Sequence, residues 1–369
     1  SGIHIMNVNE KFMRLALRLA RKGIGMTSPN PPVGAIIVKG DRILGRGYHK
    51  KAGGPHAEVF AIRQAQDAAR GARLYVTLEP CCHFGKTPPC TDAIIKSGID
   101  EVIVSCLDPN PLNNRKGIKR LRKSGIKVTV GVLEEEANII IEPFKKYITK
   151  GLPFVSLKMA ETLDGKIATV SGDSKWVTGE PARNYVHKLR SEVDAVMVGA
   201  NTVLRDNPLL TCRSGKKPHR QPIRIIVDSK LRLPSQMKVF SNHSPVIIAA
   251  VTDSPKRKVE AFEKKGVRIL TIREKSGKVD LRALMKRLAK EFGITNLMIE
   301  GGGELAASAL NEGLVDKCLF FISPSIIGGR DAITPVEGEG IASMSKAIRL
   351  KDVRLKRFGE DILVEGYVT

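Results

Sequence analysis

The spacing of apolar residues sets the first frame. Between residues 9 and 22, Phe12, Leu15, Ala16, Leu19 and Ala20 recur at i, i+3, i+4, i+7, which predicts an amphipathic helix stopped by Gly23. Apolar runs at 33–38 and 42–47 flank Lys39-Gly40-Asp41 and predict a hairpin. Strands are then expected at 73–78, 101–106 and 126–130, and helices at 56–69, 90–97, 116–124 and 134–147. Helices alternating with short apolar strands predict a sheet covered on both faces. Lys150-Gly151-Leu152-Pro153 reads as a linker. Beyond it the alternation resumes, with strands at 154–159, 195–198, 223–227, 246–250, 267–270 and 297–300 and helices at 181–191, 281–291 and 304–311. Pro181 suits the first position of its helix.

Composition narrows the class. A chain of 369 residues is long enough for two domains, and 42% hydrophobic with 27% charged residues is ordinary for a globular protein. No apolar run approaches the roughly 20 residues of a membrane span. The first residues lack the basic segment and apolar core of a secretory leader. Six cysteines are too few for a disulfide framework, and Cys106, Cys212 and Cys318 sit in or beside apolar runs, as buried thiols do. A reducing cytoplasm is the expected location. The net charge of +23 is spread over both halves. It admits nucleic acid as a partner, but aromatics are only 5% and none interleave with basic residues as base-stacking platforms. Residues 115–127 hold seven Lys and Arg at helical spacing, which reads as a solvated helix face. A small anionic substrate explains the sign of the charge equally well.

The stretch from 56 to 90 carries the chemistry. It opens on His56-Ala57-Glu58 and closes on Glu79-Pro80-Cys81-Cys82-His83-Phe84-Gly85-Lys86-Thr87-Pro88-Pro89-Cys90. One histidine and two cysteines bind zinc with a fourth position open to water, which marks a catalytic site. Cys81 is the expected ligand, with its neighbour Cys82 the ambiguous member. Glu58 is not needed as a ligand and is free to move protons, the layout of the zinc deaminases. Both His56 and Cys90 open helices, where the dipole favours thiolate. Nucleic-acid deaminases have two residues between their cysteines. Eight separate Cys81 from Cys90, which argues against that alternative. Lys86 brings a basic group into the loop. Asn30, in a Pro-rich turn, has a plain turn reading beside one in which it meets a pyrimidine edge. Gly301-Gly302-Gly303 joins a strand to a helix, as a phosphate-binding turn or simply a flexible one. Trp176, the single tryptophan, has core and cofactor-platform readings.

Taken together, Thr27 to Gly34, Gly53 to Glu58, Thr77 to Cys90 and Asp108-Pro109-Asn110-Pro111 resemble the deaminase half of the bifunctional riboflavin biosynthesis (RibD) family. Leu163 to Ala168, Ser171 to Thr178, Asn201 to Thr211 and Glu300 to Gly303 resemble its reductase half. The resemblance spans nearly the whole chain. It implies a cytidine-deaminase-like three-layer α/β/α domain over 1–148 and a dihydrofolate-reductase-like α/β domain over 149–369. It implies zinc on His56, Cys81 and Cys90 with Glu58 as proton shuttle, and Asn30, His49, Lys86, Asp108 and Asn110 touching the substrate. For the second half it implies NADPH against Ala160, Trp176, Thr202, Asp206, Glu300, Gly301, Gly302 and Gly303. Lys158, Ser174, Arg190, Leu210 and Arg213 would hold the reducible substrate, the arginines facing its phosphate. The implied activity is hydrolytic deamination of a phosphorylated diaminopyrimidine, then reduction of its ribosyl group. A small-molecule substrate, no nucleic acid, no membrane and a homo-oligomer, a dimer above other states, go with it. The alternatives are a nucleic-acid deaminase and a non-catalytic homologue. Two departures stand out. Leu112-Asn113-Asn114-Arg115-Lys116-Gly117 is bulky and polar where the family has a small, Gly-containing loop, and Asp206-Asn207-Pro208 replaces a frequent Asp-Asp-Pro.

Overall fold

A computed structural model describes residues 7–85, 87–213, 220–241, 244–251 and 255–369. The chain divides into two compact units between Leu152 and Pro153. The first contains α1 (Val8–Arg21), β1 (Gly34–Lys39), β2 (Arg42–Tyr48), α2 (Ala57–Ala65), β3 (Arg73–Leu78), α3 (Cys90–Ser97), β4 (Glu101–Cys106), α4 (Lys116–Lys123), β5 (Lys127–Val130) and α5 (Glu134–Lys150). The strand order is β2-β1-β3-β4-β5. β1 is antiparallel to both neighbours, whereas β3, β4 and β5 run parallel.

Alternating side chains of β1, β3 and β4 feed two cores. Ala35, Ile37, Leu74, Val76, Val102 and Val104 pack with α2, α3 and α4. Ile36, Val38, Tyr75 and Ile103 face the other way and pack with α1 and α5. A strand's two-residue period sends neighbouring side chains to opposite faces, which makes the unit three-layered. Backbone proximity sets where α2 lies. A Cβ on Gly45 would come 2.1 Å from the Ala61 carbonyl oxygen, and one on Gly47 would come 2.0 Å from that of Ala57. Only glycine lets the helix press so closely on β2. The helix α5 runs through the expected boundary at 148 and ends where Gly151 turns left-handed at φ 65°.

The second unit comprises β6 (Phe154–Thr162), α6 (Glu180–Glu192), β7 (Ala195–Gly199), α7 (Ala200–Asp206), β8 (Ile223–Val227), β9 (Val246–Val251), α8 (Lys256–Glu263), β10 (Arg268–Ile272), β11 (Glu274–Lys275), β12 (Lys278–Val279), α9 (Leu281–Phe292), β13 (Asn296–Glu300), α10 (Gly303–Asn311), β14 (Lys317–Ser323), β15 (Leu350–Phe358) and β16 (Asp361–Val368). Among the described residues, nine strands make one sheet in the order β10-β9-β8-β7-β13-β6-β14-β16-β15. It is parallel from β10 to β14, and β16 and β15 then add antiparallel. Apolar positions of β7, β8 and β9 pack against Val203 of α7 and Phe262 of α8. Ala182, Tyr185 and Val186 of α6 cover Leu319, Phe321 and Leu363.

The pattern of apolar residues does not disclose α7, α8, the β11–β12 hairpin or the strands after 311. β15 carries Lys351, Asp352, Arg354, Lys356 and Arg357 among its nine residues, and that density of charge conceals its alternation. Asn207 suits its place: it ends α7 left-handed at φ 43°, a region asparagine tolerates, and its Oδ1 accepts from Lys238 N at 2.7 Å.

Candidate active sites

Three ligand-type side chains of the first unit converge beyond the end of β3. His56 is the N-cap of α2, Cys90 is the first residue of α3, and Cys81 lies in the loop after β3. His56 Nδ1 is 3.1 Å from Cys90 Sγ and 3.6 Å from Cys81 Sγ. All three ligand atoms lie within 4.8 Å of one another. With Zn–S near 2.3 Å and Zn–N near 2.0 Å, tetrahedral coordination needs ligand atoms roughly 3.5–4 Å apart. The set therefore fits zinc in both spacing and softness.

The electrostatics suit the same occupant. The Cys81 thiol is pulled down to about 4, first by its hydrogen bond with the Cys90 side chain, with His56 adding to the effect against burial. The Cys90 thiol is pushed up, first by that same hydrogen bond and then by burial. The His56 imidazole is raised, chiefly by its hydrogen bond to Cys81. Glu58, in the first turn of α2, is 3% exposed, and burial pushes its carboxyl up. Its Oε2 has no hydrogen-bond partner among the described residues. A buried carboxylate oxygen left open beside a metal-type cluster is what a proton-transfer group to a bound water requires.

Of the remaining first-unit candidates, His49 and Asn30 adjoin this cluster, and Asp108 is tied to the cysteine loop through Asn113. His49 is buried and wedged in place. Its Nδ1 is 3.0 Å from the Pro55 carbonyl oxygen and its Nε2 is 3.2 Å from Asn30 Nδ2. Because a carbonyl only accepts, Nδ1 carries the proton and Nε2 accepts from Asn30. Burial lowers the His49 pKa, in keeping with this neutral form. Its ring meets that of His56 edge-on at 5.3 Å. Asn30 is thereby oriented and half-buried. Asp108 is buried, and its Oδ1 accepts from Asn110 N at 2.8 Å. Lys86 lies outside the described residues.

Two residues to which the sequence reading assigns no role hold these parts together. The buried Glu79 carboxylate accepts from Asp108 N at 3.2 Å, Arg115 N at 2.9 Å and Ile118 N at 3.2 Å, and so caps α4. The side chain of Asn113, fully buried, bridges the cysteine loop and Asp108. The signal for Glu79 is its place as the first residue of a Glu-Pro-Cys run directly after a strand end; Asn113 offers none beyond departing from the family loop. The basic residues Lys116, Lys119, Arg120, Arg122 and Lys123 of α4 are exposed, as expected of a solvated face.

In the second unit a cavity of about 1060 Å³ opens along the ends of the parallel strands. Every second-unit candidate lines it: Lys158, Ala160, Ser174, Trp176, Arg190, Thr202, Asp206, Leu210, Arg213, Glu300 and Gly301, Gly302 and Gly303. Ligands of parallel α/β sheets bind at such strand ends. Gly301 and Gly302 have φ of 76° and 88°, and a Cβ on Gly302 would come 3.2 Å from Thr202 Oγ1. These left-handed turns deliver bare backbone to the cavity where α10 begins. Trp176 is 69% exposed, with the Arg183 guanidinium 4.7 Å above its ring, so it is a cavity wall and not core. Ser174 Oγ donates to Asp206 Oδ1 at 3.0 Å.

Arg190 and Glu300 form a bidentate pair, Nε to Oε1 at 2.7 Å and Nη2 to Oε2 at 2.8 Å. Arg190 Nη1 also donates to the Thr211 carbonyl oxygen at 3.2 Å. Among the described residues, two of its five N–H groups remain for an anion. Burial, the largest single influence, opposes ionisation of Glu300, but the charge and hydrogen bonds of Arg190 together with the Lys158 and His187 charges outweigh it and hold the carboxyl below its usual range. Lys158 is aligned with Glu300 on the adjacent strand, and burial lowers its pKa. Sequence reasoning missed further cavity-lining cations, among them Lys230, Arg232, Lys275 and Lys278.

The fold and these two sites define a protein with a deaminase-type zinc centre and a nucleotide-sized reductase cavity on one chain. Residues 6–106 match the cytidine and deoxycytidylate deaminase zinc-binding region, and residues 153–364 match the RibD C-terminal domain. The chain is 46% identical to the riboflavin biosynthesis protein RibD of Aquifex aeolicus, over 98% of each chain. It is 38% identical to that of Escherichia coli, covering 96% of this chain and 98% of the relative. A diaminohydroxyphosphoribosylaminopyrimidine deaminase/5-amino-6-(5-phosphoribosylamino)uracil reductase from Thermotoga maritima superposes with a TM-score of 0.87 at 40% identity, covering 98% of this chain and 99% of the other. The chain belongs to the RibD family: it is a bifunctional deaminase and reductase of riboflavin biosynthesis, acting on a small molecule with zinc and NADPH. No described helix is long and apolar enough to cross a membrane.

Proposed function

We propose that the first unit deaminates 2,5-diamino-6-ribosylamino-4(3H)-pyrimidinone 5′-phosphate at His56, Cys81, Cys90 and Glu58, and that the second reduces the product's ribosyl group to ribityl in its cavity. The observation that carries the assignment is the buried, unpartnered Glu58 Oε2 beside the nitrogen-and-two-sulfur cluster. Zinc bound there supplies a Lewis acid that lowers the pKa of water. Glu58, raised by burial, takes a proton from the attacking water and returns it to the departing ammonia. Asn30, held by His49, reads the pyrimidine edge, and Asp108 with Asn110 meets the polar part of the substrate. In the second unit NADPH supplies the hydride. Gly301 to Gly303, Thr202, Asp206, Ala160, Trp176 and Glu300 would hold it. Lys158 would serve the hydride-transfer end, and Arg213 with the free edge of Arg190 would hold the substrate phosphate.

The test is a paired assay on one sample containing zinc. Ammonia release without NADPH, followed by NADPH oxidation once it is added, is the expected result. Ammonia without oxidation would remove the second-unit assignment and leave the first.

We place this chemistry in the cytoplasm, where the six free thiols are stable. We also infer a homodimer. Val353 and Leu355 of the edge strand β15 and Ile362 of its neighbour β16 are 52%, 69% and 41% exposed, apolar side chains among the charges of the outermost strands that a second copy would cover. Sedimentation should give a dimer for the parent chain and a monomer for Leu355→Lys; a monomeric parent chain overturns the inference.

A further inference from the structure

The Asn113 side chain is fully buried and meets four neighbours. Its Oδ1 accepts from Cys82 N at 2.9 Å. Its Nδ2 faces Asp108 Oδ2 at 3.1 Å, the Pro80 carbonyl oxygen at 3.4 Å and that of Glu79 at 3.5 Å. These partners allow one amide orientation, because the Cys82 N–H can only donate and the three oxygens can only accept from it. Thus one side chain grips the peptide units on both sides of Cys81 and, at the same time, the free carboxylate oxygen of Asp108. The grip is supported from two directions. Asn113 N and Asn114 N both donate to the Asn110 carbonyl oxygen at 2.9 Å, fixing the turn that presents the amide. The start of α4 then presses so closely on Pro80 that a Cβ on Gly117 would come 2.1 Å from its carbonyl oxygen.

We propose that Asn113 is a positioning residue for the deamination, setting the Cys81 loop and the Asp108 carboxylate relative to each other. The inference rests on the roles given above to Cys81 and Asp108. Neither role depends on Asn113 itself, and a packed apolar residue would fill the same space without fixing either group. Partners that orient metal ligands act on metal affinity as well as on rate, so the two can be read separately.

The experiment uses the full chain and two variants. Asn113→Ala removes both arms. Asn113→Asp keeps an acceptor for the Cys82 N–H but loses the donors, and sets a second carboxylate against Asp108. Zinc dissociation is read by competition with a chromogenic chelator, deamination by KM and kcat, and the reductase rate serves as an internal reference for folded protein. Asn113→Ala should weaken zinc by about 10–100-fold and raise the deaminase KM, with the reductase rate unchanged. Asn113→Asp should hold zinc nearly as the parent does, yet raise KM and shift the acidic limb of the deaminase pH profile upward. If Asn113→Ala does not fold, the KM and pH profile of Asn113→Asp decide the matter. Parental zinc affinity, KM and pH profile in both variants, with only a lower melting temperature, would overturn the proposal. A parent chain that releases no ammonia when zinc-loaded would instead remove the reading beneath it.

Discussion

The two sites are built on opposite plans. In the first unit, ligand-type residues stand at helix starts and a strand end, and a web of neutral and carboxylate hydrogen bonds through Glu79, Asn113 and Asp108 fixes their loops. The proposed proton-transfer atom, Glu58 Oε2, is left without a hydrogen-bond partner among the described residues. In the second unit the polar residues at the heart of the cavity are spent on each other: Arg190 and Glu300 form a bidentate pair, and bare glycine backbone lines the cavity beside them. A site that activates water with a metal needs one proton-transfer group free and everything else rigid. A site whose cofactor brings the hydride needs a shaped, charged wall and few reactive side chains.

That contrast can be broken most sharply at Glu58. Glu58→Gln should lower deamination by about 10²–10⁴-fold while zinc content and the reductase rate stay at parental values. Near-normal ammonia release would take Glu58 out of its role. The next largest effect is expected at the ion pair. Arg190→Met leaves Glu300 as an uncompensated buried charge and should destabilise the second unit by about 3–5 kcal/mol in denaturant titration. Replacing both partners with apolar residues should recover much of that loss, whereas an equally unstable double variant would show that the pair was not the cause.

Acid should act on the same unit. Glu300's folded pKa lies below its unfolded one, so its contribution to stability is present above the unfolded value and is lost as pH falls through the lower folded value. Glu300→Gln should therefore flatten the acid limb of the second unit's stability curve, and a curve of unchanged steepness would count against the pair. The smallest effect belongs to the first unit's departing loop. Arg115 sits at φ 61°, where a side chain is strained. Arg115→Gly should stabilise by up to about 1 kcal/mol, the relief being partly offset by the freer unfolded chain. A clear loss of stability would mean that the Arg115 side chain contributes contacts that outweigh the strain.

How much was legible varied with the distance between partners. His56-Ala57-Glu58 could be read because all three belong to one helix start, and the Cys81-to-Cys90 loop because it is a short continuous segment. The departing loop drew notice only as a departure. That Asn113 is its working member depends on burial and on Glu79, Pro80 and Cys82, more than thirty residues upstream. Arg190 and Glu300 are 110 residues apart, and neither side chain carries a local mark of its partner. Trp176 looked as much like core as like a cavity wall, since a single aromatic residue has no periodicity to betray its side.

By itself the sequence determined the alternation of strands and helices, the linker, the zinc-type donor set with its free glutamate, and the strand–glycine–helix turn. Each is encoded within a few residues by side-chain period, turn chemistry or spacing. Only the tertiary structure decided which strands are neighbours, which polar groups pair, and which remain open. Those outcomes depend on burial, where a polar group must find its partner at whatever sequence distance the fold brings one within reach.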